Sequence, residues 1–341
     1  MSELYPLLLI PIFDERPWGV RDLRPIYTRV VKEPIGESWL TWEDNRVANG
    51  PLAGQTLGEL AKQYGRDLVG AAAWHEDRFP LLVKFLFTSA KLSVQVHPDD
   101  EQARKIGQPC GKSECWYALA AKPGAQVALG LKAGTTLQDF EQAIEDKRAE
   151  ELLNWVDVHT GDMLYVAAGT VHTIGGGMIL VETQQTSDIT YRLYDYGRPR
   201  ELHVAEGLAA TKLHTNAGKV VRHVGDTPDV LVRSPYFQVE KIKLHESLPA
   251  EISPASPHVV VAIDGAGIVE APGMEPISFA VGEPVVIPAS LREYTVRPQW
   301  ELEIMRMSLP TGAGTEPETV LALSAPSSED PLASVSLRKE T

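Results

Sequence analysis

The sequence predicts a mainly β protein: two jelly-roll β-barrels in tandem, with small helical insertions in the first half. Three observations carry this. Apolar residues from Val156 to Leu202, and again from Val220 to Met307, recur with the period-two alternation of strands between Gly, Pro and Asp punctuation. Helical periodicity is confined to a few stretches of the first half. The length, 341 residues of which 43% are apolar, suffices for two hydrophobic cores at about 100–200 residues per domain.

In chain order, the opening MSELYPLLLIPIFDERPWG has a four-residue apolar run between Pro6 and Pro11 and no basic leader. It is expected to be neither a signal peptide nor a membrane span, which places the protein in the cytoplasm. Thr56 and Glu59 form a capping-box pattern that opens a helix including Leu60 and Ala61. A second helix is expected from Thr136, with Leu137, Phe140, Ala143 and Ile144 on one face, and a short one around Ala149 to Leu153. The polar stretch TNAGK marks a boundary at Thr215 to Lys219. The expected organisation is a first domain over 1–214, a second over 215–308 and a disordered tail over 309–341, in which Val320 to Leu323 could dock. The tail is rich in Pro, Gly, Ser, Thr and acidic residues and buries too little apolar surface to offset its ordering entropy.

Charge and cysteine content exclude several function classes. A formal net charge of −14 argues against nonspecific partners that are themselves anionic, so neither nucleic acid nor an acidic membrane is expected. An anionic substrate would need a local cluster of positive residues. The two cysteines, Cys110 and Cys115, suit neither a disulfide framework nor a Cys-rich zinc site and read as reduced thiols.

The chemistry is concentrated in two segments. In KLSVQVHPDD, alternation sets Leu92, Val94 and Val96 on one face and Ser93, Gln95 and His97 on the other, so Gln95 and His97 can grip one ion. Alone, a strand Gln-x-His is more often structural. Downstream, GDMLYVAAGTVHTI places Gly161, Ala167, Gly169 and His172 at the spacing of the second cupin motif, with only its proline replaced. The two glycines permit the turns that bring the histidine into a barrel mouth. The chain therefore resembles the cupins, whose first motif, His-x-His followed by a glutamate, here reads Gln95-x-His97 and then Glu114. One carboxylate, two imidazoles and an amide oxygen suit one zinc ion per chain, and tolerate manganese, cobalt or iron. Cys115, next to Glu114 on a strand, is expected to point away into the core.

The second half holds a decayed copy of the motif, VGEPVVIPASLREYTV, in which Gly282 and Pro288 survive but Ser290 and Glu293 replace the glycine and histidine. A metal-free second barrel is expected, with Gly265 and Gly267 in a tight DGAG turn between apolar strands.

The segments RPWG, GESW, FPLLVKFL, LSVQVHPDD, GKSECWY, GTVHTI and ETQQTSDITYRLYDYGR give a more specific resemblance, close from about Pro11 to Tyr196 and looser to about Met307. They resemble the type I mannose-6-phosphate isomerases in their short bacterial form. This resemblance implies zinc on Gln95, His97, Glu114 and His172, an essential arginine at Arg192, and acid/base residues at Lys112 and Asp188. It implies an aldose–ketose isomerase that interconverts mannose 6-phosphate and fructose 6-phosphate through a cis-enediol, acting as a monomer or homodimer. Trp18, Glu37, Lys84 and Glu182 lie in matching segments and are expected to line the substrate pocket. Val20 replaces a glycine that commonly follows WG in the family.

Each role has a competitor. Lys112, a base only in its neutral form, can instead pair with the phosphate, as can Arg192. Asp188 can cap its Thr/Ser-rich turn. Arg198 and Arg200 contribute positive field but are expected in a solvated loop. The alternative to an isomerase is a noncatalytic cupin that binds sugar phosphates; a cupin oxygenase is disfavoured by Gln95, since such sites are rich in histidine.

Overall fold

The computed structural model describes residues 4–222, 229–310, 312 and 314–321, and positions 322–341 of the expected disordered tail lie outside the described residues. Three antiparallel sheets make the fold. An eight-stranded sheet runs in the order Ile12–Asp22, Val30–Trp39, Leu81–Thr88, Met178–Gln185, Glu114–Ala121, Met163–Val166, Gly218–Val220 and Thr319–Val320. Facing it is a five-stranded sheet, Tyr191–Tyr194, Val94–Val96, His172–Ile174, Gln126–Leu131 and Leu153–Asp157. The third sheet has eight strands and builds the second barrel.

The run FPLLVKFL leads into the strand Leu81–Thr88, buried on both faces, which explains why it is apolar but for Lys84. One set of its side chains, Leu81, Val83, Phe85 and Phe87, packs with Val239, Val259, Val261, Met305 and Met307 in a core between the two barrels. The other face contributes Leu86 to the lining of the first barrel, with Trp116, Leu164, Val166 and Leu180 from its own sheet and Val127, Leu129 and Ile174 from the opposite one. Cys115 joins the inter-barrel core, so it does point away from Glu114, and neither cysteine is in a disulfide.

The helix Leu57–Tyr64 begins at a complete Thr56/Glu59 capping box. The helix Leu137–Glu145 begins at Thr136 and buries Phe140, Ala143 and Ile144, while Leu137 is exposed. Three helices were not anticipated, the first of them Arg66–Val69, a single turn that follows Leu57–Tyr64. Asp100–Lys105 is too short to show periodicity, although Asp99 and Gln102 form its capping box. Val204–Ala210 covers the outside of the five-stranded sheet through Ala210 and lies beyond the first half, to which insertions were expected to be confined.

The sheets cross the boundaries read from composition. Leu7–Leu8 pairs with Pro284–Ile287 in the second barrel, whereas Gly218–Val220 pairs with Met163–Val166 in the first. Thr319–Val320, at the start of the tail segment that could dock, pairs with Lys219 and Val220 and covers the edge of Gly218–Val220. Gly265 and Gly267 correct a further expectation. They sit within the continuous strand His258–Glu270, at a register shift, and form no turn between two strands. Glycine is required there because Gly265 has φ +76 and a Cβ would lie 2.1 Å from the Glu301 carbonyl oxygen. Glu293 is exposed and stands opposite Glu251 across the strands. Among the described residues no helix is long and apolar enough to cross a membrane.

Candidate metal centre

The facing sheets of the first barrel bring Gln95, His97, Glu114 and His172 together. Gln95 and His172 are register partners on neighbouring strands of the five-stranded sheet, and Glu114 begins a strand of the opposite sheet. Gly161 and Gly169, at φ +95 and +91, make the two turns that the motif requires. The second turn is tied to the first ligand segment by Gly169 N–H donating to the His97 carbonyl at 2.8 Å.

Hydrogen bonds fix what each imidazole offers. His97 Nδ1 lies 2.7 Å from the Ile189 carbonyl and His172 Nδ1 lies 2.9 Å from the Thr170 carbonyl. A carbonyl only accepts, so both protons sit on Nδ1 and both Nε2 atoms present lone pairs. Those lone pairs face the Glu114 carboxylate, with His172 Nε2 3.2 Å from Oε1 and His97 Nε2 3.6 Å from Oε2. His97 Nε2 and both Glu114 oxygens are buried without a hydrogen-bond partner among the described residues. Orphaned lone pairs gathered against a carboxylate repel one another unless a cation stands between them. Burial, and next the ammonium of Lys112, holds His97 well below the usual imidazole range, and burial lowers His172 to about 4, so neither imidazole supplies that positive charge. The donor set fits a metal ion.

Gln95 turns its amide nitrogen to His172 Nε2 at 3.2 Å and its oxygen to the Ser93 hydroxyl at 3.1 Å. Turning the amide over would offer the oxygen instead. The bond to Ser93 survives, because a serine hydroxyl both donates and accepts, and only the bond to the His172 Nε2 lone pair is given up.

A cavity of about 320 Å³ opens beside these residues. Its wall contains the expected acid/base, arginine and pocket residues Trp18, Glu37, Lys84, Lys112, Glu182, Asp188 and Arg192. Lys84 is buried, with its Nζ 3.3 Å from Glu37 Oε2 and 3.7 Å from Glu182 Oε1. Burial opposes the charge on Glu37, but Lys84 and then Arg16 outweigh it and hold the carboxyl at about 2. Glu182 is raised to about 7 by burial and by the facing Glu114 carboxylate. Two carboxylates flanking one lysine are thus pushed apart. Lys112 Nζ stands 3.5 Å from Glu114 Oε2. Asp188 is exposed on the cavity wall, and the turn is capped by Ser187, whose Oγ accepts from Ile189 N–H at 3.4 Å.

The arginines correct the reading of a solvated loop. Asp195, itself buried, accepts Arg200 in a two-point pair at 2.6 and 2.7 Å and Arg198 at 2.8 Å, which draws both side chains inward. Arg200 reaches the cavity wall. Arg16, Ser93 and Trp116 also line the cavity and were missed. Each lies two residues from one that was found, Trp18, Gln95 and Glu114 respectively, so the period-two rule contained the signal.

A buried cluster that could hold a metal ion, set in the first of two barrels, defines a cupin with a candidate metal site. Residues 23–137 match the family model for the catalytic domain of phosphomannose isomerase type I. The chain is 36% identical over 306 residues to mannose-6-phosphate isomerase ManA of Bacillus subtilis, covering 85% of this chain and 95% of that one. It superimposes on the crystal structure of mannose 6-phosphate isomerase from Bacillus subtilis with a TM-score of 0.78 at 30% identity, over 89% and 99% of the two chains. A zinc-bound mannose 6-phosphate isomerase shares the fold with a TM-score of 0.70 at 16% identity, over 89% and 98%. The chain belongs to the type I phosphomannose isomerase family.

Proposed function

We propose that this chain interconverts mannose 6-phosphate and fructose 6-phosphate by moving a proton between C2 and C1 through a cis-enediol. One observation carries the reading beyond family membership: Lys112, Asp188 and Arg192 line the same cavity as Gln95, beside the His97, Glu114 and His172 cluster. Gln95, His97, Glu114 and His172 would hold one metal ion. The mixed N/O donor set favours zinc, which when bound supplies Lewis-acid polarisation of the substrate oxygens.

The residues divide the remaining work. Lys112, nearly fully buried on the cavity wall, is the group we assign to carry the proton. Arg192 keeps its proton, so its part is to stabilise the negative charge that develops on the enediolate oxygen. Asp188, exposed at the same wall, is the group we assign to assist ring opening. Arg16, Lys84, Lys112, Arg192 and Arg200 give the cavity the local positive field that a sugar phosphate needs to approach a chain of net charge −14. Cytoplasmic action is supported by the two free, buried thiols.

The test is to incubate purified protein with mannose 6-phosphate and follow fructose 6-phosphate. Turnover that is lost on chelation and restored by zinc supports the proposal. Absence of turnover in protein carrying one zinc per chain sinks it and favours a noncatalytic sugar-phosphate cupin.

A further inference from the structure

The run Gly111–Glu114 delivers Lys112 to the cavity and Glu114 to the cluster with His97 and His172, yet its first three residues precede the strand Glu114–Ala121 and have no ladder to hold them. We infer that Asp100 and Gln185 are positioning residues for the reaction, hydrogen-bonded to each other and to this run so as to fix where Lys112 and Glu114 stand. The inference rests on the isomerase reading for its consequence in turnover, and on geometry alone for its mechanism.

Asp100 Oδ1 accepts from Gly111 N–H at 2.8 Å and from Gln185 Nε2 at 2.9 Å. Gln185, fully buried, passes the constraint on: its Oε1 accepts from Ser113 N–H at 2.9 Å and its own N–H donates to the Ser113 carbonyl at 3.2 Å. Lys112 lies between these anchors, with its N–H donating to the Pro98 carbonyl at 3.0 Å. Ser113 Oγ then accepts from Ala168 N–H at 3.2 Å, reaching the turn that precedes His172. The run is also pressed against the start of the helix Asp100–Lys105, since a Cβ on Gly111 would lie 2.5 Å from the Asp99 carbonyl carbon and 2.7 Å from Asp100 N. Asp100 and Gln185 touch neither the cavity nor the metal cluster, so they act through the residues they hold.

A single oxygen of Asp100 takes both bonds, so an asparagine oxygen can replace it, whereas alanine cannot. Asp100→Ala and Gln185→Leu are each expected to lower kcat for mannose 6-phosphate about 10- to 100-fold, the range for a misplaced catalytic group, with KM within about threefold and one metal per chain retained. Asp100→Asn should keep kcat within about threefold of wild type. The double variant Asp100→Ala/Gln185→Leu should cost no more than the worse single change, because both break the same chain of bonds. Amide exchange at Gly111 and Ser113, which needs no turnover, should accelerate in Asp100→Ala and not in Asp100→Asn. Wild-type kcat and exchange in Asp100→Ala overturn the inference; so do losses in Asp100→Asn equal to those in alanine, or multiplicative losses in the double variant. A wild-type protein without turnover speaks against the isomerase reading, while the exchange result still decides this one.

Discussion

Arg192 stands directly across from Gln95 on the neighbouring antiparallel strand, and Gln95 has His172 as its register partner on the other side. Three strands therefore set the arginine, the amide and the imidazole in one row. Arg192 Nη1 donates to the Glu201 carbonyl at 2.8 Å, while Nε is buried without a partner among the described residues. A guanidinium held by one terminal nitrogen has donors left to offer an anion in the cavity that it lines.

Arg192→Ala should therefore lower kcat by about 10²–10³, the usual loss for a donor to a developing oxyanion, while metal content stays at one ion per chain. Arg192→Lys should recover little, because a point charge on a flexible stem does not reproduce the planar fork. Steady-state kinetics with metal analysis checks both. Near-wild-type kcat in Arg192→Ala would remove the residue from the reaction.

Lys84 is the only charged residue of the buried strand Leu81–Thr88, and it holds Glu37 and Glu182 together across the sheet. Lys84→Met keeps the stem volume and deletes the charge. Two buried carboxylates then lose their shared partner, a change that costs about 3–5 kcal/mol. Urea unfolding of the variant against wild type measures it. A loss of less than about 1 kcal/mol would mean that the pocket is wetter and softer than its burial implies.

Glu182 gives the site a pH signature in metal-free protein. Its carboxyl is raised by burial and by Glu114 to about 7, above the ordinary value of 4.5, so the folded state holds this proton more tightly than the unfolded chain. The resulting stabilisation is complete below about pH 4.5 and is lost as pH rises through about 7. In Glu182→Gln the contribution is absent. Relative to wild type, the variant should gain on the order of 2 kcal/mol between pH 5 and pH 8. Parallel unfolding curves of chelated proteins at the two pH values test this, and a difference that does not move with pH would show that Glu182 ionises normally.

Much of this was legible because a strand exposes its chemistry every second residue. Gln95 with His97, and the spacing from Gly161 to His172, locate three strands and two turns before any contact is known. What escaped had physical reasons. The helix Asp100–Lys105 has fewer than two turns, so its capping residues are its only signal. Arg200 appeared solvated because the sequence does not show that Asp195 is buried and draws it in. The DGAG stretch has turn composition, but its glycines serve close backbone approach inside a bent strand. The strand Leu7–Leu8 is two residues long and joins a sheet whose other strands begin more than 200 positions later, a pairing that no local pattern contains.

His172 bears most directly on the metal. It reaches the cluster from a three-residue strand, its Nδ1 is committed to the Thr170 carbonyl, and its Nε2 faces Glu114 Oε1 at 3.2 Å. His172→Ala removes a lone pair and opens the cluster to water, but it leaves the backbone pairing with Gln95 and Leu129 untouched. The variant should retain its fold by circular dichroism and an unfolding midpoint close to that of chelated wild type. It should bind less than about a tenth of an ion per chain after dialysis, since a site reduced to two protein donors besides Gln95 no longer completes a closed N/O set. Restoring the donor as His172→Gln should recover part of the metal and little of the turnover. Full metal stoichiometry in His172→Ala would contradict the ligand set, and unfolding of the second barrel in the same variant would mean that His172 holds structure rather than metal.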